Sequence, residues 1–169
     1  MKIQRGLTLI ELLITLAIAG VLLGMAAPSF TEFIAQRSLT TAANDFVLGV
    51  MLARSESVRR GQSVSVQTVD AGDSDNEWGQ GWCVVVGNGG DCTNALRRFA
   101  ALDDNAFDAG GNLNNVETLT FNSRGMLMGG LGGNPNIDRL TLCSEGFTRG
   151  RQAAVSAIGR IDIGDFVCP

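Results

Sequence analysis

The chain has 169 residues and a formal net charge of −4 at pH 7, a size that suits one domain with an extension. It contains no His or Tyr, and Lys2 is its only lysine, so most of the usual general bases, Schiff-base amines and zinc ligands are missing. We therefore expect no enzyme, no cofactor and no metal, and the acidic balance argues against a strongly basic nucleic-acid binder.

Residues 7–27 form an apolar segment that three polar residues interrupt, Glu11 among them. At about 1.5 Å per residue, a helix of this length spans about 30 Å of hydrocarbon. Lys2 and Arg5 precede the segment, so the positive-inside rule keeps the amino terminus in the cytoplasm. The pattern predicts a single-pass inner-membrane protein whose remainder lies on the periplasmic side.

A cleaved secretory signal peptide is the alternative interpretation, with MKIQR as its charged region and GMAA as its cleavage site. Two residues argue against it. Pro28 would follow the cut directly, and Glu11 interrupts the apolar region near its start. A charge inside a membrane helix costs about 2.5–3.5 kcal/mol on insertion scales and is functional by default.

The position of Glu11 suggests a partner for its charge. If the chain were cut after Gly6, the new amino group on Leu7 would lie four residues before Glu11. The ammonium of one helix would then neutralise the carboxylate of a neighbouring helix, because leaving either charge alone in lipid is worse. Such a pair would fix the axial register of packed helices.

The run from Gly6 through LTLIEL resembles the class III signal of type IV prepilins and type II secretion pseudopilins. The resemblance implies that residues 1–6 are a leader, and that a prepilin peptidase cuts between Gly6 and Leu7 and methylates Leu7. It also implies that residues 7–27 enter a filament core, where Glu11 pairs with the amino terminus of a neighbouring subunit. Leu7 stands where the family usually has Phe.

The helical pattern continues beyond Pro28, which predicts that this proline kinks the helix or caps a break rather than ending it. An apolar stripe at spacings of three and four then predicts an amphipathic half of the same helix over residues 28–61. Gly61 follows two arginines and suits a left-handed carboxyl cap. The stripe consists of Leu39, Ala43, Phe46, Val50 and Ala53.

Short β-rich runs separated by Gly, Asn and Asp follow the helix and predict an antiparallel, β-rich head over residues 62–169. The fold class is therefore α+β, with a long amino-terminal helix packed on the head. The predicted strands are 63–69, 81–86, 95–102, 117–122, 138–144, 152–158 and 159–164.

The acidic loop DAGDSDNE, from Asp70 to Glu77, offers oxygen ligands of the kind that calcium takes. Its spacing mimics the start of an EF-hand loop, but Trp78 stands where the sharp-turn glycine belongs. A solvated hairpin loop is the better interpretation, so we predict no metal there.

Four cysteines follow the apolar segment, and export would oxidise them. Three connectivities are open to four cysteines. The local one is favoured because each pair brackets a loop or a hairpin, whereas four reduced thiols would suit a cytosolic protein. It joins Cys83 to Cys92 and Cys143 to Cys168.

Three further runs, ARSESVRRGQSVSV (53–66), FNSRG (121–125) and VSAIGRI (155–161), resemble the GspH/FimT branch of this family. The resemblance implies a minor pilin of a type IV pilus that assembles with other pilins, near the filament tip where assembly begins. A type II secretion minor pseudopilin, protein H, is the alternative.

Some FimT-type minor pilins bind DNA during natural transformation through a Gly-Arg-x-Arg motif near the carboxyl end, and this resemblance points to Arg149, Arg151 and Arg160. Asp162 replaces the second arginine of the motif, and an acid facing a phosphate repels it. The competing interpretation is that these arginines pair with Glu145, Asp162 or Asp165. DNA binding therefore stays an alternative function.

Overall fold

The computed structural model describes residues 8–69, 78–102, 107–110, 116–128, 137–144 and 146–168, with the backbone alone described at 25–29, 31, 107–110 and 137–138. The chain divides into two compact units, Met1–Ala35 and Gln36–Pro169. The predictions for Gly6, Leu7 and the acidic loop 70–77 fall outside the described residues.

Helix α1 runs without a break over Leu9–Arg60. It therefore passes Pro28 and stops one residue before Gly61, as the sequence predicts. Gly61 has a positive φ of 63°, a conformation that glycine adopts at no steric cost. Arg59 and Arg60 occupy the last turn, where positive charge complements the carboxyl end of the helix dipole.

In the first unit, α1 exposes a series of large apolar side chains, with Leu9 78% and Leu23 71% exposed. They are Leu9, Ile10, Leu12, Leu13, Ile14, Leu16, Ile18, Val21, Leu22, Leu23, Phe30, Phe33 and Ile34. Across the part of the chain that the structure describes, no helix combines the length and the apolar character needed to cross a membrane. The span at 7–27 stays a prediction.

The second unit contains two four-stranded antiparallel sheets, which confirms the α+β prediction. The first sheet has the order β3-β2-β1-β5 and the second has the order β4-β6-β7-β8. The strands are β1 (Val64–Thr68), β2 (Trp82–Val86), β3 (Arg97–Phe99), β4 (Phe107–Gly110), β5 (Thr118–Phe121), β6 (Ile137–Ser144), β7 (Arg149–Ser156) and β8 (Ile161–Val167).

One core joins the helix to both sheets. The predicted stripe is buried at all five positions, and Ala42 extends it. Phe46 lies at its centre, with ring centroids 5.3 Å from Trp78 and 5.9 Å from Trp82 in edge-to-face geometry, an arrangement that aromatic quadrupoles favour. The sheets contribute Val64, Val66, Trp82, Val84, Phe99, Leu119, Phe121, Leu140, Leu142, Ala153 and Val155.

Candidate functional site

Glu11 lies in the first turn of α1 and is exposed. Its backbone N–H donates to the carbonyl oxygen of Thr8 at 3.1 Å and to the Thr8 hydroxyl at 3.3 Å. Thr8 is thus the amino-terminal cap, and a glutamate three residues later is typical of a capping box. The T-x-x-E spacing from Thr8 to Glu11 is a sequence signal for this cap.

The acid at Glu11 therefore has a local role besides the one that the family resemblance implies. A carboxylate in the first turn interacts favourably with the amino-terminal end of the helix dipole. This interaction does not require a second subunit. Any test of Glu11 in assembly must separate a frayed helix end from a lost intersubunit pair.

The structure joins Cys83 to Cys92 and Cys143 to Cys168, the local pairing that the sequence favours. The Cys83–Cys92 bridge closes a loop over the outer face of the first sheet. The carboxamide of Gln67, on β1, donates to the carbonyl oxygen of Gly90 and accepts from its N–H. This loop therefore satisfies a buried amide that would otherwise lie unpaired in the sheet.

The Cys143–Cys168 bridge ties the end of the chain to the second sheet. The N–H of Cys168 also donates to the carbonyl oxygen of Thr148 at 3.0 Å. Gly150 packs beneath the bridge, because a Cβ at this position would lie 2.5 Å from Sγ of Cys168. Glycine is needed here for space.

The three candidate DNA-binding arginines do not form a free cationic surface. Nη1 of Arg151 lies 2.5 Å from Oδ1 of Asp165, and Nη2 of Arg160 lies 3.0 Å from Oδ1 of Asp162. The side chain of Arg149 is exposed, and its carbonyl oxygen accepts from Gln36. Two of the three are thus paired with acids named in the competing interpretation.

No metal centre appears within the described residues, where no three His, Cys, Asp or Glu side chains group closely enough to hold an ion. The calcium alternative at Asp70–Glu77 falls outside these residues.

No sequence pattern predicts one contact, which joins α1 to two distant turns. The three runs that resemble the GspH/FimT branch meet in space, since Arg54 donates from Nη1 to the carbonyl oxygen of Gly159 at 3.1 Å. A Cβ on Gly125 would lie 3.2 Å from Cγ of Arg54. The resemblance between distant segments therefore has a structural reason, because they build one joint between the helix and two turns.

Comparison with known proteins places these features in a family. Residues 42–159 match the family model described as type II transport protein GspH, and residues 1–27 match the prokaryotic N-terminal methylation motif. The structure resembles a crystal structure of the type IV minor pilin FimU of Pseudomonas aeruginosa, with a TM-score of 0.60 and 29% sequence identity. The match covers 80% of this chain and 92% of that chain.

Curated relatives match over a shorter stretch. The pilin-like protein PilA1 of Thermus thermophilus is 42% identical over 69 residues, which are 41% of this chain and 43% of the relative. A fimbrial protein of P. aeruginosa is 34% identical over 64 residues, or 38% of this chain and 41% of the relative. The chain thus spans less than half the length of the curated relatives it matches.

Proposed function

Because the chain belongs to the GspH family of pilin-like proteins, we propose that it is a minor pilin of a type IV pilus, with no catalytic activity. The observation that carries this proposal is the exposed apolar surface of α1 before Gly24. An apolar surface of this size marks a contact with lipid or protein. The likeness to FimU supports a pilus rather than a secretion filament.

We propose that processing precedes assembly. A prepilin peptidase would cut between Gly6 and Leu7 and methylate Leu7, within the segment that matches the N-terminal methylation motif. Before assembly, residues 7–27 would anchor the chain in the lipid of the inner membrane, with residues 62–169 in the periplasm. After assembly, the same segment would pack against the helices of other pilins.

Within the filament, Glu11 would pair with the amino terminus of a neighbouring pilin, since both charges are costly in an apolar environment. The place that we propose for this subunit is the tip, in the complex that begins assembly. The name of the matched family model, a type II transport protein, favours one alternative, a minor pseudopilin of type II secretion.

Two measurements on the native protein test the proposal. Mass spectrometry of the protein from its own cells should find Leu7 as the first residue, carrying one methyl group. Filaments sheared from the cells should contain the wild-type chain, whereas Glu11→Ala should remain in the membrane fraction. Glu32→Ala, at an exposed acid further along α1, is the control and should enter filaments normally.

A third variant tests whether the charge of Glu11 is needed at all. Glu11→Gln keeps the hydrogen-bonding side chain of a capping box but removes the charge. If Glu11→Gln enters filaments as well as the wild type, the charge pair is not needed and the proposed pairing is wrong.

Deleting the gene should reduce surface pili and leave the export of secreted enzymes intact. Loss of export alone would instead favour the pseudopilin.

A further inference from the structure

Two tight turns meet on α1 at Arg54. In the first turn the N–H of Gly125 donates to the carbonyl oxygen of Asn122 at 2.8 Å. In the second turn the N–H of Gly159 donates to the carbonyl oxygen of Ser156 at the same distance. The turns also contact each other, because the N–H of Leu127 donates to the carbonyl oxygen of Ala157 at 3.0 Å. We call the exposed surface formed by Arg54, Val58, residues 124–126 and residues 158–160 the turn surface.

The shape of the turn surface is fixed by its two glycines. Gly125 and Gly159 have φ values of 74° and 73°, in the left-handed region that side chains disfavour. A Cβ on Gly159 would lie 2.7 Å from the carbonyl oxygen of Gly125 and 3.0 Å from Cδ of Arg54. The two turns and the arginine thus pack too closely for any side chain between them, so the surface is preformed.

Apolar side chains stand out from this rigid base. Val58 is 55% exposed, Met126 is 45% exposed and Ile158 is 63% exposed. Each flanks the glycine joint, since Met126 and Ile158 are chain neighbours of the glycines and Cγ2 of Val58 lies 3.1 Å from a Cβ placed on Gly125. Single exposed apolar residues need no explanation, but three around one rigid joint form a contact patch.

The charge of the turn surface is opposite to that of the whole protein. Its charged side chains are Arg54, Arg124 and Arg160, in a chain of net charge −4. Arg160 is neutralised by Asp162. Within the described residues, no carboxylate forms a salt bridge with Arg54 or Arg124, so the surface keeps a positive charge beside its apolar patch.

We propose that the turn surface is the docking site for an acidic segment of a different pilin subunit, with apolar residues of that segment covering Val58, Met126 and Ile158. This inference rests on the proposed function, because it names the head contact that a minor pilin would make. Specific protein interfaces usually combine apolar contacts with charged and polar groups. Opposite charge would steer the partner and fix its register.

The same observations disfavour two other occupants. Arg54 and Arg124, which form no salt bridge with any described carboxylate, would neutralise about two phosphates. DNA would thus gain a weak, salt-sensitive contact with a slope near −1.8, and the apolar side chains would stay uncovered. A symmetric contact with a second copy would bring the same cations face to face, because a two-fold interface uses one patch twice.

Site-specific photo-crosslinking in the full chain, expressed in its pilus-bearing cells, tests the proposal. A benzophenone side chain replaces Ile158 in one variant, Leu96 in a second and Leu16 in a third. Leu96 is an exposed apolar residue outside the turn surface, and Leu16 lies on the exposed helix of the first unit. Ile158 should form an adduct with another pilin, at a peptide rich in Asp and Glu, and Leu96 should not.

Charge reversal supplies the second arm. Arg124→Glu should lower the yield of the Ile158 adduct about tenfold, since like charges at an interface cost at least the corresponding 1.4 kcal/mol. Arg98→Glu, at an exposed arginine on β3, is the matched control and should leave the yield unchanged. Arg124→Gln removes the positive charge without reversing it, so it tests the same contact if Arg124→Glu disturbs the turn. The yield of the Ile158 adduct in this variant should lie between those of the wild type and Arg124→Glu.

Three results would overturn the inference while leaving the proposed function intact, provided that Leu16 still forms adducts with pilins. They are no adduct at Ile158, an adduct with DNA or with a second copy of this chain, and a yield that Arg124→Glu does not change. If Leu16 forms no pilin adduct either, the chain does not assemble with pilins, and both proposals fail together.

Discussion

Arg151 and Asp165 face each other across the antiparallel pair of β7 and β8, with Nη1 of the arginine 2.5 Å from Oδ1 of the acid. The arginine side chain is 31% exposed and the acid is 89% exposed. A pair so open to water contributes little stability. Its consequence is electrostatic, because it neutralises one of the arginines for which the family resemblance implies a contact with DNA.

Asp165→Asn should therefore strengthen the interaction of the full chain with DNA. Freeing one arginine adds about one phosphate contact, so the slope of log affinity against log salt should steepen by about 0.9. Filter binding at several salt concentrations measures this slope. Asp91→Asn removes the same charge at an exposed acid outside this pair and should not steepen it; equal slopes for both variants would contradict the occupied-arginine explanation.

Gly150→Ala should destabilise the second sheet, because the new methyl group would crowd both the disulfide and the backbone of strand β6. The new Cβ would clash with the carbonyl oxygen of Leu142 on β6, and it would lie 2.5 Å from Sγ of Cys168 and 3.2 Å from Sγ of Cys143, so the strand or the bridge must move. Overpacking of this kind lowers the free energy of unfolding by about 1–3 kcal/mol. Urea denaturation followed by circular dichroism measures the loss.

Gly164→Ala is the control for that substitution. Its Cβ would meet only the side chain of Gln152, at an ordinary contact distance of 3.4 Å or more. A loss as large as that of Gly150→Ala would show that the sheet rejects any added methyl group, and that the close contacts of Gly150 with Leu142 and the disulfide are not responsible.

Phe46→Ala should be the most damaging change on the helix. The ring is fully buried and packs edge-to-face on Trp78 and Trp82. Removing a buried phenyl group costs about 3–5 kcal/mol, from lost burial and from the remaining cavity. Met51→Ala, at a side chain that is 58% exposed, should change the free energy of unfolding by no more than about 0.5 kcal/mol. A thermal melt of each variant makes the comparison.

Glu56 should make the stability of the helix end depend on pH. Hydrogen bonds from Arg59 and then Arg60 lower the pKa of its carboxyl from 4.5 to about 2. Because the folded state has the lower pKa, the stabilisation is fully present above about pH 4.5 and is lost as the pH falls toward 2. Glu56→Gln should remove this dependence.

The difference in unfolding free energy between wild type and Glu56→Gln should therefore shrink between pH 4.5 and pH 2. Glu117→Gln, at an exposed carboxylate outside the cluster, is the reference variant. A difference that stays constant over this pH range would show that the two arginines do not stabilise the charged form.

The helix and most strands follow from local patterns. The stripe through Phe46 has helical period and meets both sheets, and Gly61 ends the helix after two arginines. Strands rich in β-branched residues, such as the buried strand Val64–Thr68, are also recognisable from the sequence. These elements were predictable because one periodicity or one residue type determines them.

Other elements could not be predicted, because they depend on contacts between residues that are distant in the sequence. Strand β4 (Phe107–Gly110) contains Asp and Gly and is absent from the predicted strands, yet it pairs with β6. Strand β7 begins at Arg149, three residues before the predicted start, because its arginines find partners on the neighbouring strand or lie exposed. The joint at Arg54 requires residues that lie 105 positions apart to meet.

The bridge between Cys143 and Cys168 also matters when the chain is pulled. It bypasses 25 residues of sequence, which would otherwise extend by about 85 Å at roughly 3.4 Å per residue. Tension applied along the backbone therefore passes through two sulfur atoms and leaves β7 and β8 unloaded. Even a force that unfolds the rest of the second sheet would not stretch this hairpin as long as the bridge remains oxidised.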